Sequence, residues 1–295
     1  MKSWRSTAAI LLSGCLLLAA PLTLAGPAPA LSEITLATGD MTQRPSGRPF
    51  PDMLVAFLRE HGPPLAYEVV EMNARRAWQM IGTGAQVCRV SAVHTPEREK
   101  LAYFRDTLLS PPQTLIVRRN KQQALPRNAA GEIDLPRLLA DPSLRGAIVD
   151  GRSYGDEVDA LLAHLPPGNG VSRLSAGDFG SRMLSLLSRD RADYTIDYEV
   201  NLVQPTAREE PPLTAVLASE PIGGASAPVI AGIACPRTAW GLAAIRVLDE
   251  TLGTPAGAVM LRQEAERWMT PETRQRYASQ IETFYRERTR PTLSR

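Results

Sequence analysis

Histidine and cysteine are both scarce in this chain. Three histidines, His61, His94 and His164, and three cysteines, Cys15, Cys88 and Cys235, are scattered through 295 residues. No pair of them has the spacing of a zinc site, so no metal centre is expected, and no cofactor. An excess of one charge is missing as well. Lys and Arg total 33 against 31 for Asp and Glu, a net charge of +2, which leaves no basic field to attract nucleic acid. Beyond the first two dozen residues there is no apolar run long enough to span a membrane. What remains is 44% hydrophobic and 22% charged, an ordinary globular composition with room for one large domain or two smaller ones.

The opening "MKSWRSTAAILLSGCLLLAAPLTLAGPAPA" sets Lys2 and Arg5 before an apolar run from Ala8 to Ala20. Small-residue cleavage sites follow at Thr23-Leu24-Ala25 and Ala28-Pro29-Ala30. This is the layout of a cleaved secretory signal over 1–30 and predicts a periplasmic protein. A transmembrane anchor is the alternative, but the run is short and Pro21 breaks it. Lipidation at Cys15 within "LSGC" is a second alternative, set against it by the membrane-like "LLLAAPLTLA" that follows.

The stretch "VCRVSAVHTPEREKLAYF", Val87 to Phe104, raises the question of a thiol enzyme. On an extended strand Cys88 and His94 would stand about 20 Å apart, too far for histidine to activate the thiol. With Cys15 removed, Cys88 and Cys235 are an even pair in an oxidising compartment, which favours a disulfide. Two separate buried cysteines are the other reading.

Short β-prone runs alternate with helical ones. "EITLAT", "LAYEVVEM" and "AQVCRVSAV" read as strands, with "FPDMLVAFLREHG" and "NARRAWQMIGTG" as helices between them, the second capped by Asn73. This implies parallel βαβ units. "SPPQTLIVRR" is extended, and the pattern restarts after it: a short helix at Leu135 to Leu139, then "RGAIVDG", "SYGDEVDALLAHL", "VSRLS", "DFGSRMLSLLSRD" with Asp178 as cap, and "ADYTIDY". A lone strand "APVIAGIACP" and three helical stretches complete the chain, the last capped by Thr270 with Pro271 in its first turn. A lone strand is no domain, so it should return to the first unit. The expected organisation is an α/β protein of two lobes and two hinge crossings: lobe one over 31–118, lobe two over 119–226, and 227–295 returning to lobe one. The arginine-rich "YRERTRPTLSR" reads as a frayed, solvated end.

Four segments in order resemble the periplasmic solute-binding proteins of the polar amino-acid class, with the type 2 bilobed fold. They are "SAVHTPEREKLAYF", "RGAIVDGRSYGDEVDALL", "SLLSRDRADYTIDYEVN" and "VIAGIACPRTAWGLAAIRVLDETL". The resemblance runs from about Ile34 to Leu252 and is nearest to a subgroup with a cysteine before Thr-Pro-Glu-Arg and Cys-Pro in the return strand. In that fold these two strands are neighbours, as a Cys88–Cys235 bridge requires.

The resemblance implies a cleft for a small anionic or zwitterionic solute, delivered by a monomer to a membrane transporter. Arg98 would take the ligand carboxylate, a planar guanidinium being suited to two-pronged contact, with Thr95 beside it. Ser153 and Tyr154 open a lobe-two helix whose free N–H groups favour an anion; Ser153 as N-cap, with Asp156 completing a capping box, is compatible. Asp40 ends the first strand and could meet an ammonium group. Three departures count against a standard α-amino acid. Val93 replaces a small hydroxyl residue, the loop after Asp40 lacks an aromatic, and the usual ammonium-gripping aspartate is Tyr198, with Asp197 one position earlier. A sensory module serving a receptor, or a dehydratase-like enzyme using Asp40, Asp197 or His94, are the alternatives.

Overall fold

The computed structural model describes residues 31–39, 49–175, 181–203 and 212–293. Asp40, Cys15, Asp178, the signal segment and the loop after Asp40 lie outside the described residues.

The first lobe begins as the periodicity predicts. Strands β1 (Glu33–Thr38), β2 (Ala66–Glu71) and β3 (Cys88–Val93) alternate with helices α1 (Phe50–His61) and α2 (Ala74–Gly82). Asn73 caps α2 by accepting the Arg76 N–H at 2.8 Å. A short helix α3 (Pro96–Glu99) follows, capped by Thr95, and then the nine-residue strand β4 (Ala102–Ser110). Sequence periodicity does not announce β4, because Arg105 and Asp106 interrupt its apolar run.

Strand β5 (Thr114–Arg118) corrects the expected boundary at residue 118. It hydrogen-bonds antiparallel to β8 (Tyr194–Asp197) and β9 (Leu217–Glu220), so it belongs to the second sheet. The chain crosses between lobes at Pro111-Pro112-Gln113, where two residues without N–H groups end the β4 ladder. The second lobe adds α4 (Leu135–Ala140), β6 (Gly146–Val149), α5 (Asp156–Ala163), β7 (Val171–Leu174), α6 (Ser181–Ser188), α7 (Glu199–Val203) and α8 (Leu213–Val216). Its sheet has the order β7-β6-β8-β5-β9. Leu115 and Val117 enter one core with α4 and α5, while Ile116 enters the other with α6. That alternation is the period-two signature of a strand covered on both faces.

Strand β10 (Val229–Pro236) then returns to the first sheet, giving the order β2-β1-β3-β10-β4. It runs antiparallel to both β3 and β4. Cys235 is brought opposite Cys88, and the two form a disulfide that closes 147 residues of separation. Helices α9 (Ala239–Leu252), α10 (Pro255–Arg267) and α12 (Ala278–Glu287) pack with α1 on one sheet face through Leu54, Leu58, Ile245, Leu248, Leu261 and Ile281. The single helix expected after Thr270 is two: α11 (Pro271–Arg276) ends at Tyr277, and α12 begins after it. Among the described residues no helix is long and apolar enough to cross a membrane.

The tail is not frayed. Asp249, buried on α9, accepts the N–H of Thr292 at 2.9 Å and of Leu293 at 2.7 Å. Arg105 of β4 is fully buried and pairs with Asp249 at 2.8 Å, while also donating to Thr292 Oγ1. Arg288 reaches Asp106 at 3.1 Å. The two charges that obscure β4 in the sequence, Arg105 buried and Asp106 half-buried, are therefore paired against the C-terminal segment, and those contacts hold the tail down.

Two stability measurements test this frame. Replacing Cys88 and Cys235 together by alanine should cost about 2–5 kcal/mol in urea unfolding, the range for losing a disulfide of this kind. Arg105→Met should cost about 3–5 kcal/mol by stranding the Asp249 carboxylate, with much of the loss recovered when Asp249→Leu is added. An Arg105→Met protein as stable as the parent would show that the pair does not secure the tail.

Candidate functional site

A cleft lies between the two sheets, where lobe one faces lobe two. Its walls come from Arg89, Ser91 and Arg98 on one side, and from Gly151, Arg152 and Ser153 on the other. The cavity volume is about 100 Å³, space for a small molecule. The lobes meet beside it. Arg75 donates to Asp150 at 3.1 Å, and Arg98 donates across to the Gly151 carbonyl at 3.3 Å. Gly151 has φ +74°, and a Cβ there would sit 2.9 Å from the Arg75 backbone nitrogen, so glycine is required on both counts.

A bulge in β3 shapes the lobe-one wall. Gly232 pairs with Ala92 and Ala234 with Arg89, which leaves β3 one residue long between those pairs. Ser91 takes up the difference with φ 55°. The facing flips as a result: Cys88 and Val90 enter the core beneath α1 and α9, but Ala92 enters the core beneath α2. The strand end beyond Ser91 is thereby re-aimed toward the cleft, and Ser91, Ala92 and Val93 line it.

Arg98 lies in the cleft wall, as the resemblance implies. Its guanidinium donates to the Val93 carbonyl at 3.0 Å and lies 4.5 Å from the centre of the Trp78 ring. Trp78, which also packs against the core beneath α2, is the platform that orients Arg98. Burial pushes the Arg98 pKa down to about 10, and Asp159 opposes that shift. Thr95 is buried and caps α3 by accepting the Arg98 N–H at 3.3 Å. Its hydroxyl positions Arg98, and Thr95 is not among the cleft-lining residues.

The lobe-two helix start departs from expectation. The N-cap of α5 is Gly155, with φ 93°, and not Ser153. Asp159, one turn into the helix, turns back to accept the Ser153 hydroxyl and, at 2.7 Å, the Tyr154 N–H. The Gly155 N–H goes to Ser153 Oγ at 3.3 Å. The Tyr154 and Gly155 donors expected to be free for a ligand anion are taken within the protein, by the Asp159 carboxylate and the Ser153 hydroxyl. Burial raises the Asp159 pKa against the pull of these donors. Ser153 still lines the cleft, but the Tyr154 side chain lies in the lobe-two core, its hydroxyl accepting the Val149 N–H at 2.8 Å.

Asp197 and Tyr198 also separate in role. Asp197 is buried and bound to Arg152 at 2.7 Å, while the same oxygen accepts the Tyr198 N–H and Asn201 Nδ2. It neutralises Arg152 and is not presented to the cleft as an ammonium grip. Tyr198 does line the cleft, its hydroxyl accepting from Gln113 Nε2 at 3.5 Å. Burial works against the Arg152 cation, but Asp197 and the flanking tyrosines hold its pKa above the ordinary arginine value.

Sequence reasoning missed two cleft arginines. Arg152 follows the glycine turn of β6, and Arg89 lies mid-strand in "VCRVSAV". A charged residue inside an otherwise apolar central strand was the available signal. Arg89 is 9% exposed and its Nη1 is buried without a hydrogen-bond partner. Burial pushes its pKa down to about 10, and the nearby Arg98 and Arg152 cations push it the same way. Among the described residues no cluster of three or more metal-ligating side chains exists.

With this geometry in hand, comparison with known proteins identifies the architecture. No protein-family model matches the sequence, and no curated protein matches it. Solved structures do. A putative L-cystine ABC transporter structure from Listeria monocytogenes is 18% identical with a TM-score of 0.58, covering 82% of this chain and 97% of that one. A structure from work on glutathione import via GshT and the cystine ABC importer TcyBC of Streptococcus mutans gives a TM-score of 0.58 at 11% identity, covering 80% and 94%. Holo ArgBP from T. maritima gives 0.52 at 16%, covering 86% and 96%. The fold is the two-lobed α/β architecture of these proteins, and a further neighbour, 11% identical with a TM-score of 0.52, is the substrate-binding protein of an amino acid ABC transporter.

His94 follows Val93 of the cleft wall in the chain, and it is clamped. Its Nδ1 lies 2.6 Å from Asp106, its Nε2 lies 2.7 Å from Glu99, and its ring stacks on Phe104 at 4.2 Å. Burial lowers its pKa, but the two carboxylates more than reverse that, so the net shift is upward from 6.5. A folded pKa above the unfolded one gives stability that is complete below 6.5 and is lost as pH rises through the folded value. The melting-temperature gap between the parent and His94→Gln should therefore be wider at about pH 5.5 than at about pH 9. A difference of about 2–4 °C corresponds to about 1 kcal/mol. A gap independent of pH would mean that the imidazole is held neutral.

Proposed function

We propose that this protein binds a small anionic or zwitterionic solute in its interlobe cleft and delivers it to a membrane transporter. The reading is of a periplasmic protein, exported by the 1–30 signal and released by its cleavage, that acts without catalysis. The observation that carries it is Arg98. A guanidinium buried in the cleft wall, held by one carbonyl from its own lobe and one from the other, is oriented by Trp78 and pairs with no carboxylate within 4.0 Å among the described residues. Such a group suits the carboxylate of a small ligand. Because it bridges to Gly151, ligand binding and lobe contact would draw on the same side chain, the economy expected of a hinged trap.

Among the described residues, which leave out Asp40, the enzyme alternative lacks support in the cleft chemistry. General acid–base work needs a group free to exchange a proton with substrate. Asp197 is committed to Arg152, and His94 is held between two carboxylates. The solute-binding neighbours support delivery to a transporter over signalling to a receptor.

A thermal-shift screen against amino acids, organic acids and polyamines tests the reading, since a ligand of the native state raises the melting temperature by mass action. At least one class should give a saturable shift. Arg98→Ala should weaken that ligand by about 10–100-fold, the scale of a charge-assisted hydrogen bond. A saturable shift unchanged in Arg98→Ala would remove Arg98 from the site, and no shift from any class would overturn the binding reading.

A further inference from the structure

We propose that the solute is a dicarboxylate, with one carboxylate taken by Arg98 and the other by Arg89, and that the cleft makes no specific demand for an ammonium group. This rests on the binding reading above and names its substrate class.

Three guanidinium groups line one small cleft, and the protein treats them differently. Arg152 has Asp197 in direct contact. Arg98 has carbonyl oxygens and an aromatic face, and its carboxylate interaction is with Asp159, which is itself occupied by Ser153 and the Tyr154 N–H. Arg89 has nothing of the kind. It is more than nine-tenths buried, it lines the cleft, its Nη1 is unpartnered, and the charges that act on it are two other arginines. A buried cation without a counter-ion is costly, and a structure that keeps one beside a cavity is completed by an anion from outside. Arg89 and Arg98 are two such cations without a carboxylate in contact, which matches a ligand carrying two negative charges.

The opposite charge is spoken for. Among the described residues Glu264 is the acidic residue in the cleft lining, and both its oxygens are used, Oε1 by Trp268 Nε1 and Oε2 by Arg267, each at 2.9 Å. Asp197 is bound to Arg152 through Oδ1, and its unpartnered Oδ2 is buried away from the cleft lining. Among the described residues, then, no cleft-lining carboxylate is left to meet an ammonium. A phosphate or sulfate dianion fits less well than two carboxylates. Its extra oxygens call for backbone N–H donors, and those of the cleft-side turn before α5, Tyr154 and Gly155, are filled by Asp159 and Ser153.

Isothermal titration of the purified protein and of Arg89→Met, with succinate, glutarate, L-glutamate, L-glutamine, phosphate and sulfate, tests this. At least one of the three dicarboxylates should bind the parent at least tenfold more tightly than glutamine, phosphate or sulfate do. Arg89→Met should weaken that dicarboxylate by at least tenfold. It should also raise the melting temperature of the ligand-free protein, because the unpaired buried charge is gone. Glutamine binding as tightly as the dicarboxylates would overturn the inference and leave the binding reading intact, as would preference for phosphate or sulfate. So would dicarboxylate affinity unchanged in Arg89→Met, or a ligand-free Arg89→Met less stable than the parent. If none of the six compounds binds but the broader screen finds a solute, the dicarboxylate assignment alone fails. If neither finds one, both fail.

Discussion

Strand β10 is the member on which the rest of the protein depends. It leaves the second lobe, enters the first sheet between β3 and β4, and runs against both. The first sheet is incomplete without it, because β3 and β4 are joined only through β10. The same strand carries Cys235 to Cys88, so the position where the sheet closes is also where it is covalently stapled. Its pairing with β3 leaves the latter one residue long, and the bulge at Ser91 points the end of β3 into the cleft. The mobility of a hinged protein and the stiffness of its binding wall are usually in tension. Here the stiffness is concentrated in one seam, and the crossings at Pro111-Pro112 and after Ile222 lie outside it.

The cleft built on that seam is unusual in how it distributes charge. One arginine is neutralised by an aspartate, one is held by carbonyls and an indole, and one is left without a partner. Electrostatic repulsion among them acts within the native state alone, since the unfolded chain solvates each separately. The protein therefore carries a destabilising arrangement at the place where a ligand would relieve it. That is the pattern expected where a site has been shaped for recognition at some expense to the stability of the empty protein.

Much of the frame was legible in the sequence, and for identifiable reasons. The parallel βαβ units follow from alternating periodicities. Asn73, Thr238 and Thr270 mark helix starts because a side-chain oxygen there has a local N–H to accept. The return of "APVIAGIACP" to the first sheet follows from its isolation among helices. Features that depend on distant partners were not legible. Strand β4 is masked by Arg105 and Asp106, whose placement is intelligible once Asp249 and Arg288 are seen beside them. Strand β9, four residues long, is too short to stand out from its surroundings. At the site, the types of residue were readable but not their commitments. Ser153, Tyr154 and Asp197 have the right chemistry at the right place in the chain. Asp159 and Arg152 had already claimed them, and nothing local records that claim. Arg89 was visible as an oddity in an apolar strand, but its isolation is a property of three-dimensional surroundings.

Gly151 sets a limit on the geometry that side chains cannot. Where most protein surfaces meet through side chains, whose rotamers can yield by an ångström or more, this contact brings backbone against backbone: a left-handed glycine against the first turn of α2. Backbone does not yield in that way. The closest approach of the lobes at this point is consequently set by backbone, and the shortest span from Arg98 to the residues after Gly151 is set with it. The cleft behaves as a caliper with a hard stop. Solutes would be sorted by length as much as by charge, because a longer one cannot be accommodated by letting the jaws rest slightly apart without giving up the bond from Arg98 to the Gly151 carbonyl.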